Sequence, residues 1–106
     1  MSTVSLIEHI LKNGRQSDGF INATELCKVG GKRFNDWYRL KKSEKIIEVI
    51  SILTHIPVES LIVSGHGCSK DEKAQDTWVH KKIAYDIAMW FSPDFTAQVY
   101  DWLDKK

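Results

Sequence analysis

Seven basic side chains lie close together between Lys28 and Lys45, where the sequence has only two acidic residues, a balance of +5. The other segments are neutral or acidic, with −1 over residues 1–27, −3 over 46–80 and zero over 81–106, so the whole chain carries +1. A local excess of positive charge attracts a phosphate backbone even where the net charge is small. We take this basic block as a candidate binding site for a polyanion, with a solvated helix face as the alternative. Its basic residues are Lys28, Lys32, Arg33, Arg39, Lys41, Lys42 and Lys45.

Two side chains of the basic block have the geometry to read base edges. The Arg39 guanidinium can form paired hydrogen bonds with guanine, and the Asn35 amide can do so with adenine. Lys32 and Arg33 follow a pair of glycines at a predicted turn between helices, where side chains and backbone N–H groups can both meet phosphate. The chemistry favours double-stranded DNA as the partner, and selectivity against RNA stays open.

Metal binding or cysteine–histidine catalysis is a second candidate chemistry. The residues that could take part are Cys27, His66, Cys68 and His80. The His-Gly-Cys run at 66–68 lacks the paired Cys-x-x-Cys spacing of structural zinc sites. His80 is expected to cap a helix or to pack, and no orienting acid or oxyanion loop accompanies either cysteine. We therefore predict no metal, no cofactor and no catalytic residue, with both thiols reduced in an intracellular compartment.

A length of 106 residues indicates one domain, spanning 1–106, with enough chain for a hydrophobic core. The hydrophobic content of 42% and the four tryptophans are typical of a globular chain. No apolar run approaches the roughly 18 residues of a membrane span, and the first residues do not resemble a signal peptide. The spacing of Trp37, Trp78, Trp90 and Trp102 places most of them in the core rather than on a base-stacking surface.

The helix that begins the basic block has clear start and stop signals. Asn22, followed three residues later by Glu25, has the form of a capping box. We expect a helix over 23–29, ended by Gly30-Gly31 because glycine readily adopts the left-handed conformation that closes a helix.

A second helix is predicted from about Phe34 to Lys42, with Phe34 and Trp37 facing the core. The two helices and their glycine turn have the outline of a helix-turn-helix. A third helix should run from Ser43, as its cap, to Thr54, before Pro57 prevents continuation. Its predicted buried stripe consists of Ile46, Ile47, Ile50 and Leu53.

The first residues, SLIEHIL at 5–11, fit two structures. A helix would place Leu6, Ile7, Ile10 and Leu11 on one face, with Ser5 and Glu8 as a capping pair. A strand that pairs with the extended residues 19–21 is the interpretation we favour.

A strand hairpin is predicted in the second half of the chain. Residues 61–64 and 77–79 have strand character, and a polar loop over 65–76 joins them. This loop can act as a wing that lies along a DNA backbone or in the minor groove. It can equally be a loop in contact with solvent only, because its acidic residues 71, 72 and 76 offset the positive charge of its lysines. The wing candidates are His66, Ser69, Lys70, Lys73 and Gln75.

Two helices are predicted in the C-terminal third. The first buries a face made of Ile83, Ala84, Ile87, Ala88 and Phe91. Ser92, Pro93 and Asp94 mark the start of the second, as a cap, a proline at the first helical position and an acid in the first turn. Its predicted apolar stripe consists of Phe95, Val99, Trp102 and Leu103.

Three segments together resemble the KilA-N domain family. Residues 18–28, DGFINATELCK, are similar to the start of that domain, which typically reads DGYINATKLCK. Phe34-Asn35-Asp36-Trp37 with Arg39-Leu40-Lys41 is similar to its second helix, and Thr77-Trp78-Val79-His80, Ile83-Ala84 and residues 90–95 are similar to its C-terminal half. The resemblance covers residues 18–103.

The resemblance implies both a fold class and a function. KilA-N domains occur mainly in large DNA viruses and phages and are similar to the APSES DNA-binding domains of fungal transcription factors. The implied fold is α+β, a winged helix-turn-helix-like domain with a short N-terminal β element, a central helix-turn-helix, a β-hairpin wing and two C-terminal helices. The implied role is DNA binding by a viral protein inside an infected host cell. Glu25 stands where the family often has lysine, which strengthens the capping box and removes positive charge.

A protein-interaction module is the alternative function. The basic block would then meet an acidic partner surface, anchored by an exposed Tyr38, Tyr85 or Trp90. Such a module would target a partner or a fused effector without catalysis of its own. Some poxviral KilA-N proteins carry a RING ubiquitin-ligase module, for which this chain has neither the cysteines nor the length. Whether the domain forms a homodimer stays open.

Overall fold

The computed structural model describes residues 3–15, 18–64 and 76–105, in which helices surround one small antiparallel sheet. The α+β class is therefore confirmed at the level of helices and sheet. In chain order the elements are α1 (Thr3–Lys12), β1 (Ile21–Asn22), α2 (Ala23–Val29), α3 (Phe34–Tyr38), α4 (Lys41–Thr54), α5 (Val58–Leu61), β2 (Ile62–Ser64), β3 (Thr77–Val79), α6 (Lys81–Phe91) and α7 (Pro93–Asp104).

The sheet has the strand order β1-β3-β2, and both pairs are antiparallel. Val79 on the central strand lies opposite Ile21 on one side and Ile62 on the other, and it is fully buried. The predicted pairing of β2 with β3 is confirmed. The extended residues before α2 were also predicted, although their partner is β3.

The predicted N-terminal strand is wrong, because residues 3–12 form α1. This helix buries Ile7 and Leu11, which are one turn apart, and packs against α2 and α7. Ser5 lies inside the helix and so is not its cap, and Leu6 is 38% exposed. The apolar residues of this segment recur at helical spacing, so they are buried along one side of a helix rather than on one face of a strand.

The two helices at the centre of the core are α2 and α6, which pack against each other. The four predicted inward residues of α6 at 83, 84, 87 and 88 are fully buried, and Phe91 is half-buried. Ser92 caps α7 as predicted, since its Oγ accepts a hydrogen bond from the Phe95 N–H at 3.1 Å. Only the first part of the predicted stripe on α7 is buried: Phe95 is fully buried, but Trp102 and Leu103 are 41% and 60% exposed.

The start and end of α2 agree with the sequence prediction. The Asn22 side-chain oxygen accepts a hydrogen bond from the Glu25 N–H at 3.0 Å, which is the first half of a capping box. At the other end, Gly31 has φ +66°, and the N–H groups of Gly31 and Lys32 donate to Lys28 and Cys27. These two bonds form a Schellman motif.

The predicted boundary between the second and third helices is wrong. The helix expected from Phe34 to Lys42 ends at Tyr38, and α4 begins at Lys41 with Leu40 as its N-cap. Ser43 is therefore not a cap; it is fully buried in the first turn of α4, and its Oγ has no hydrogen-bond partner among the described residues.

The far end of α4 also differs from the prediction. Ile47 and Ile50 are buried and Ile46 is partly buried, but Leu53 is 67% exposed because no described element covers the last turn at that position. The helix ends at His55, which has a left-handed φ of 60°. Pro57 is the N-cap residue of α5, a short helix that the sequence pattern did not reveal.

Candidate nucleic-acid interface

All seven basic side chains of the block are exposed. Among the described residues, only two of them form ion pairs: Arg39 with Asp36 at 3.7 Å and Lys45 with Glu48 at 3.9 Å. Exposed pairs of this length contribute about 0–1 kcal/mol and exchange readily with solvent ions. The positive charge of the block is therefore available to an external anion.

A rigid anchor holds α3, which has only five residues. Trp37 is fully buried, and its indole Nε1 donates a hydrogen bond to the Asp86 carboxylate at 2.8 Å. Phe34 is half-buried and lies against the Trp37 ring, with centroids 5.8 Å apart. Both residues face the core as predicted, and they fix the positions of Asn35 and Arg39 on the exposed side.

Asn35 and Arg39 line two adjoining grooves rather than one surface. Asn35 lies in a groove of about 400 Å³ beside the sheet, and Arg39 lies in a groove of about 480 Å³ between α3 and α4. The two grooves share Tyr38, Ile47 and Val58. The second groove, called the α3–α4 groove below, is lined by Tyr38, Arg39, Leu40, Lys41, Glu44, Ile47, Glu48 and Val58.

Three lysines of the basic block, Lys41, Lys42 and Lys45, belong to α4. Lys41 and Lys45 are one turn apart, and Lys42 and Lys45 are three residues apart, so all three point away from the buried stripe on neighbouring parts of the helix surface. Lys41 also lines the α3–α4 groove with Arg39. The structure thus brings together Arg39, Lys41, Lys42 and Lys45 around the start of α4.

The other basic residues of the block lie on the approach to α3. Lys28 is in the last turn of α2, and Arg33 is the N-cap residue of α3. Lys32 is directed toward α6, with its Nζ 5.9 Å from the centroid of the Trp90 ring. Of the three aromatic residues considered as anchors for a protein partner, Trp90 is only partly exposed, whereas Tyr38 and Tyr85 are 53% and 38% exposed.

The wing candidates His66, Ser69, Lys70, Lys73 and Gln75 lie outside the described residues. The structure does describe the point where the chain returns from that loop. Asp76 accepts a hydrogen bond from the Asn22 side chain at 2.8 Å, and the Thr77 N–H donates to Thr24 Oγ at 3.0 Å. The end of the hairpin loop is therefore attached to the first turn of α2.

Sequence reasoning missed three side chains that shape this surface. Tyr38 was considered only as an anchor for protein partners, and Glu44 and Glu48 were not singled out, yet all three line the α3–α4 groove. The four-residue spacing of the two glutamates on α4 was a usable signal, because it places them on one side of a helix. The groove itself needed α5, which supplies Val58 and was not predicted.

The chain is similar to one known protein family along most of its length. The profile of the KilA-N domain matches residues 6–105, nearly the whole chain. The chain belongs to the KilA-N domain family.

Several viral proteins are similar to this KilA-N domain. It is 39% identical over 80 residues to the KilA-N domain-containing protein 006L of Invertebrate iridescent virus 6, covering 73% of this chain and 23% of that protein. It is 33% identical over 86 residues to the KilA-N domain-containing protein L4 of Acanthamoeba polyphaga mimivirus, covering 81% of this chain and 19% of that protein. The chain thus spans about a fifth of the length of these two relatives. No solved structure matches it significantly.

Other chemistry is sparse in the described part of this KilA-N domain. No group of three histidine, cysteine or acidic side chains there is arranged to hold a metal ion. Burial raises the pKa of the Cys27 thiol to about 11, which leaves it protonated and unreactive near neutral pH. The Nδ1 atom of His80 accepts a hydrogen bond from the Lys82 N–H at 3.1 Å, so this histidine caps α6. None of the described helices is both long and apolar enough to cross a membrane.

Proposed function

We propose that this KilA-N domain binds double-stranded DNA through its basic block, inside an infected host cell. The observation that carries the proposal is the exposure of all seven cations on consecutive elements, with only two weak ion pairs to described residues. The contact surface is centred on α3 and the first turn of α4. We assign the helix-turn-helix role to α2 and α3, and a secondary wing role to the loop between β2 and β3.

Phosphate contacts supply most of the affinity in this proposal. Contact with roughly six phosphates gives a slope near −5 for the logarithm of the binding constant against the logarithm of salt concentration. Fluorescence anisotropy with a labelled duplex at several salt concentrations measures this slope. Absence of duplex binding at low salt would refute the proposal.

A charge-reversal pair locates the surface. Arg33→Glu combined with Lys42→Glu should abolish duplex binding, because both side chains lie in the basic block and both changes add repulsion. Lys12→Glu combined with Lys81→Glu is the matched control, since these lysines line a separate groove between α1 and α6. The control changes the net charge equally and should retain most of the affinity.

Base reading is assigned to the exposed side of α3. Arg39→Ala should weaken binding to a preferred sequence by about 1–3 kcal/mol and reduce discrimination against other sequences. Lys42→Ala should instead weaken binding to all duplexes about equally and reduce the salt slope by about one. Competition between duplexes of different sequence separates these two effects.

A further inference from the structure

One wall of the α3–α4 groove is formed by Tyr38, the outermost of three aromatic rings in contact. Tyr38, on its wall, stacks on Phe34 with centroids 5.8 Å apart and an interplanar angle of 27°. Phe34 in turn contacts the ring of Trp37, which is fully buried and hydrogen-bonded to Asp86. Tyr38 is 53% exposed and therefore presents aromatic surface from a rigid base. A pre-organised side chain loses little conformational entropy when it binds a ligand.

The charges that line this groove balance, unlike those of the basic block around it. Arg39 and Lys41 provide two cations, and Glu44 and Glu48 provide two carboxylates. A phosphate group would face as much repulsion as attraction there. A flat, neutral ligand with amino groups would gain aromatic stacking from Tyr38 and hydrogen bonds to the carboxylates.

An unpaired nucleobase has these properties. Every base has a face that stacks on an aromatic ring, and carboxylates accept hydrogen bonds from exocyclic amino groups. The groove volume of about 480 Å³ lies within the range of about 300–1,000 Å³ typical of small-molecule sites. The cations at Lys42 and Lys45, on the adjoining surface of α4, can hold the flanking phosphates.

We propose that the α3–α4 groove binds one unpaired base stacked on Tyr38, so that the domain prefers a duplex containing an extrahelical base to a fully paired one. The inference rests on the proposed DNA-binding function and adds a ligand class to it. Adenine, cytosine and guanine carry an exocyclic amino group and should bind better than thymine, which has none.

Fluorescence anisotropy with four labelled duplexes tests the proposal: one fully paired, and three with a single bulged residue that is adenine, thymine or abasic. The abasic bulge is the control for flexibility, because it bends the duplex without offering a base. The adenine bulge should bind roughly tenfold more tightly than the abasic bulge. Tyr38→Ala should remove that preference, so that the adenine bulge and the abasic bulge bind with equal affinity.

Three further variants sharpen the result. Tyr38→Phe keeps the ring and should keep the preference, whereas Tyr85→Ala removes an exposed tyrosine from α6 and should change nothing. Glu44→Gln combined with Glu48→Gln should reduce the preference for adenine over thymine. Thermal melts establish that each variant is folded, and Tyr38→Leu replaces the alanine variant if that one is unfolded.

The outcomes distinguish this proposal from the proposed function. Equal affinity of the wild-type domain for adenine and abasic bulges, or a preference that survives loss of the Tyr38 ring, overturns the groove assignment even if paired DNA binds tightly. Failure to bind paired DNA overturns the proposed function, while a Tyr38-dependent affinity for unpaired bases would still support the groove assignment.

Discussion

The indole Nε1 of Trp37 donates a hydrogen bond to Oδ2 of Asp86 across 2.8 Å, joining a five-residue helix to the central helix of the core. Helix α3 is too short to be stable by itself. Its position therefore depends on the burial of Trp37 and on this hydrogen bond. The basic side chains that follow depend on the same anchor.

Removal of the acceptor should destabilise the domain. Asp86→Ala leaves the buried indole N–H without a partner, and we expect the free energy of unfolding to fall by about 1–3 kcal/mol. Asp86→Asn retains an acceptor oxygen and should lose less. Urea denaturation measures both changes. Asp104→Ala, at an exposed acid of α7, is the control and should stay within about 0.5 kcal/mol of wild type.

The two glycines after α2 should respond to alanine for different reasons. A Cβ atom at Gly30 would collide with the ring of Phe91, so Gly30→Ala should cost about 1–3 kcal/mol through overpacking. Gly31 has open space around it but a φ of +66°, so Gly31→Ala should cost about 1–2 kcal/mol through backbone strain. Thermal or chemical denaturation measures the loss in the free energy of unfolding for each variant.

A second substitution separates these causes. In a Phe91→Leu background, Gly30→Ala should cost less, while the cost of Gly31→Ala should be unchanged. Gly31→Asn should also cost less than Gly31→Ala, because asparagine tolerates the left-handed region better. Equal costs of Gly30→Ala in both backgrounds would contradict the predicted collision.

Stability should depend on pH through His80. Burial, followed by the nearby Lys82 charge, lowers the pKa of this histidine from its ordinary value of 6.5. Well above pH 6.5 the imidazole is neutral in both folded and unfolded chains. As the pH falls through 6.5 and toward the lower folded-state pKa, the unfolded chain takes up the proton first, so folding stability decreases.

His80→Asn should reduce that pH dependence, because asparagine can cap α6 without titrating. His80→Ala removes the cap and should cost about 1 kcal/mol at pH 8. Urea denaturation at several pH values between 5 and 8 measures the free energy of unfolding of wild type and of His80→Asn. The three other histidines are present in both, so their titration cancels in the comparison. Identical pH profiles for wild type and His80→Asn would contradict the assigned role.

Local signals predicted the parts of the fold that local chemistry determines. The Asn22 and Ser92 caps each need one side-chain oxygen three residues before an N–H group, and both are present. The Gly31 break needs only a residue that tolerates positive φ. The periodicity of α6 also predicted its buried face, since this helix is covered along its length.

The errors arose where tertiary contacts decide the outcome. Leu40 begins α4 without any side-chain hydrogen bond, so no sequence signal marked the boundary with α3. The apolar periodicity of α4 and α7 continues to Leu53 and Leu103, so both leucines were predicted to be buried. Both are exposed, because no described element packs on the last turn of either helix at that position. The division of the basic residues between a groove and an outer helix face depends on packing, which the sequence pattern does not give.

One side chain, Asn22, connects parts of the chain that are 54 residues apart, because it caps α2 and also donates to Asp76. Strand β3 lies between β1 and β2, and α6 and α7 pack against helices from the first half of the chain. The residues after 76 are therefore held to those before 64 by an extensive interlocking interface. A chain divided between these positions would have the surfaces needed for two-fragment complementation, with each half supplying strands that the other half requires.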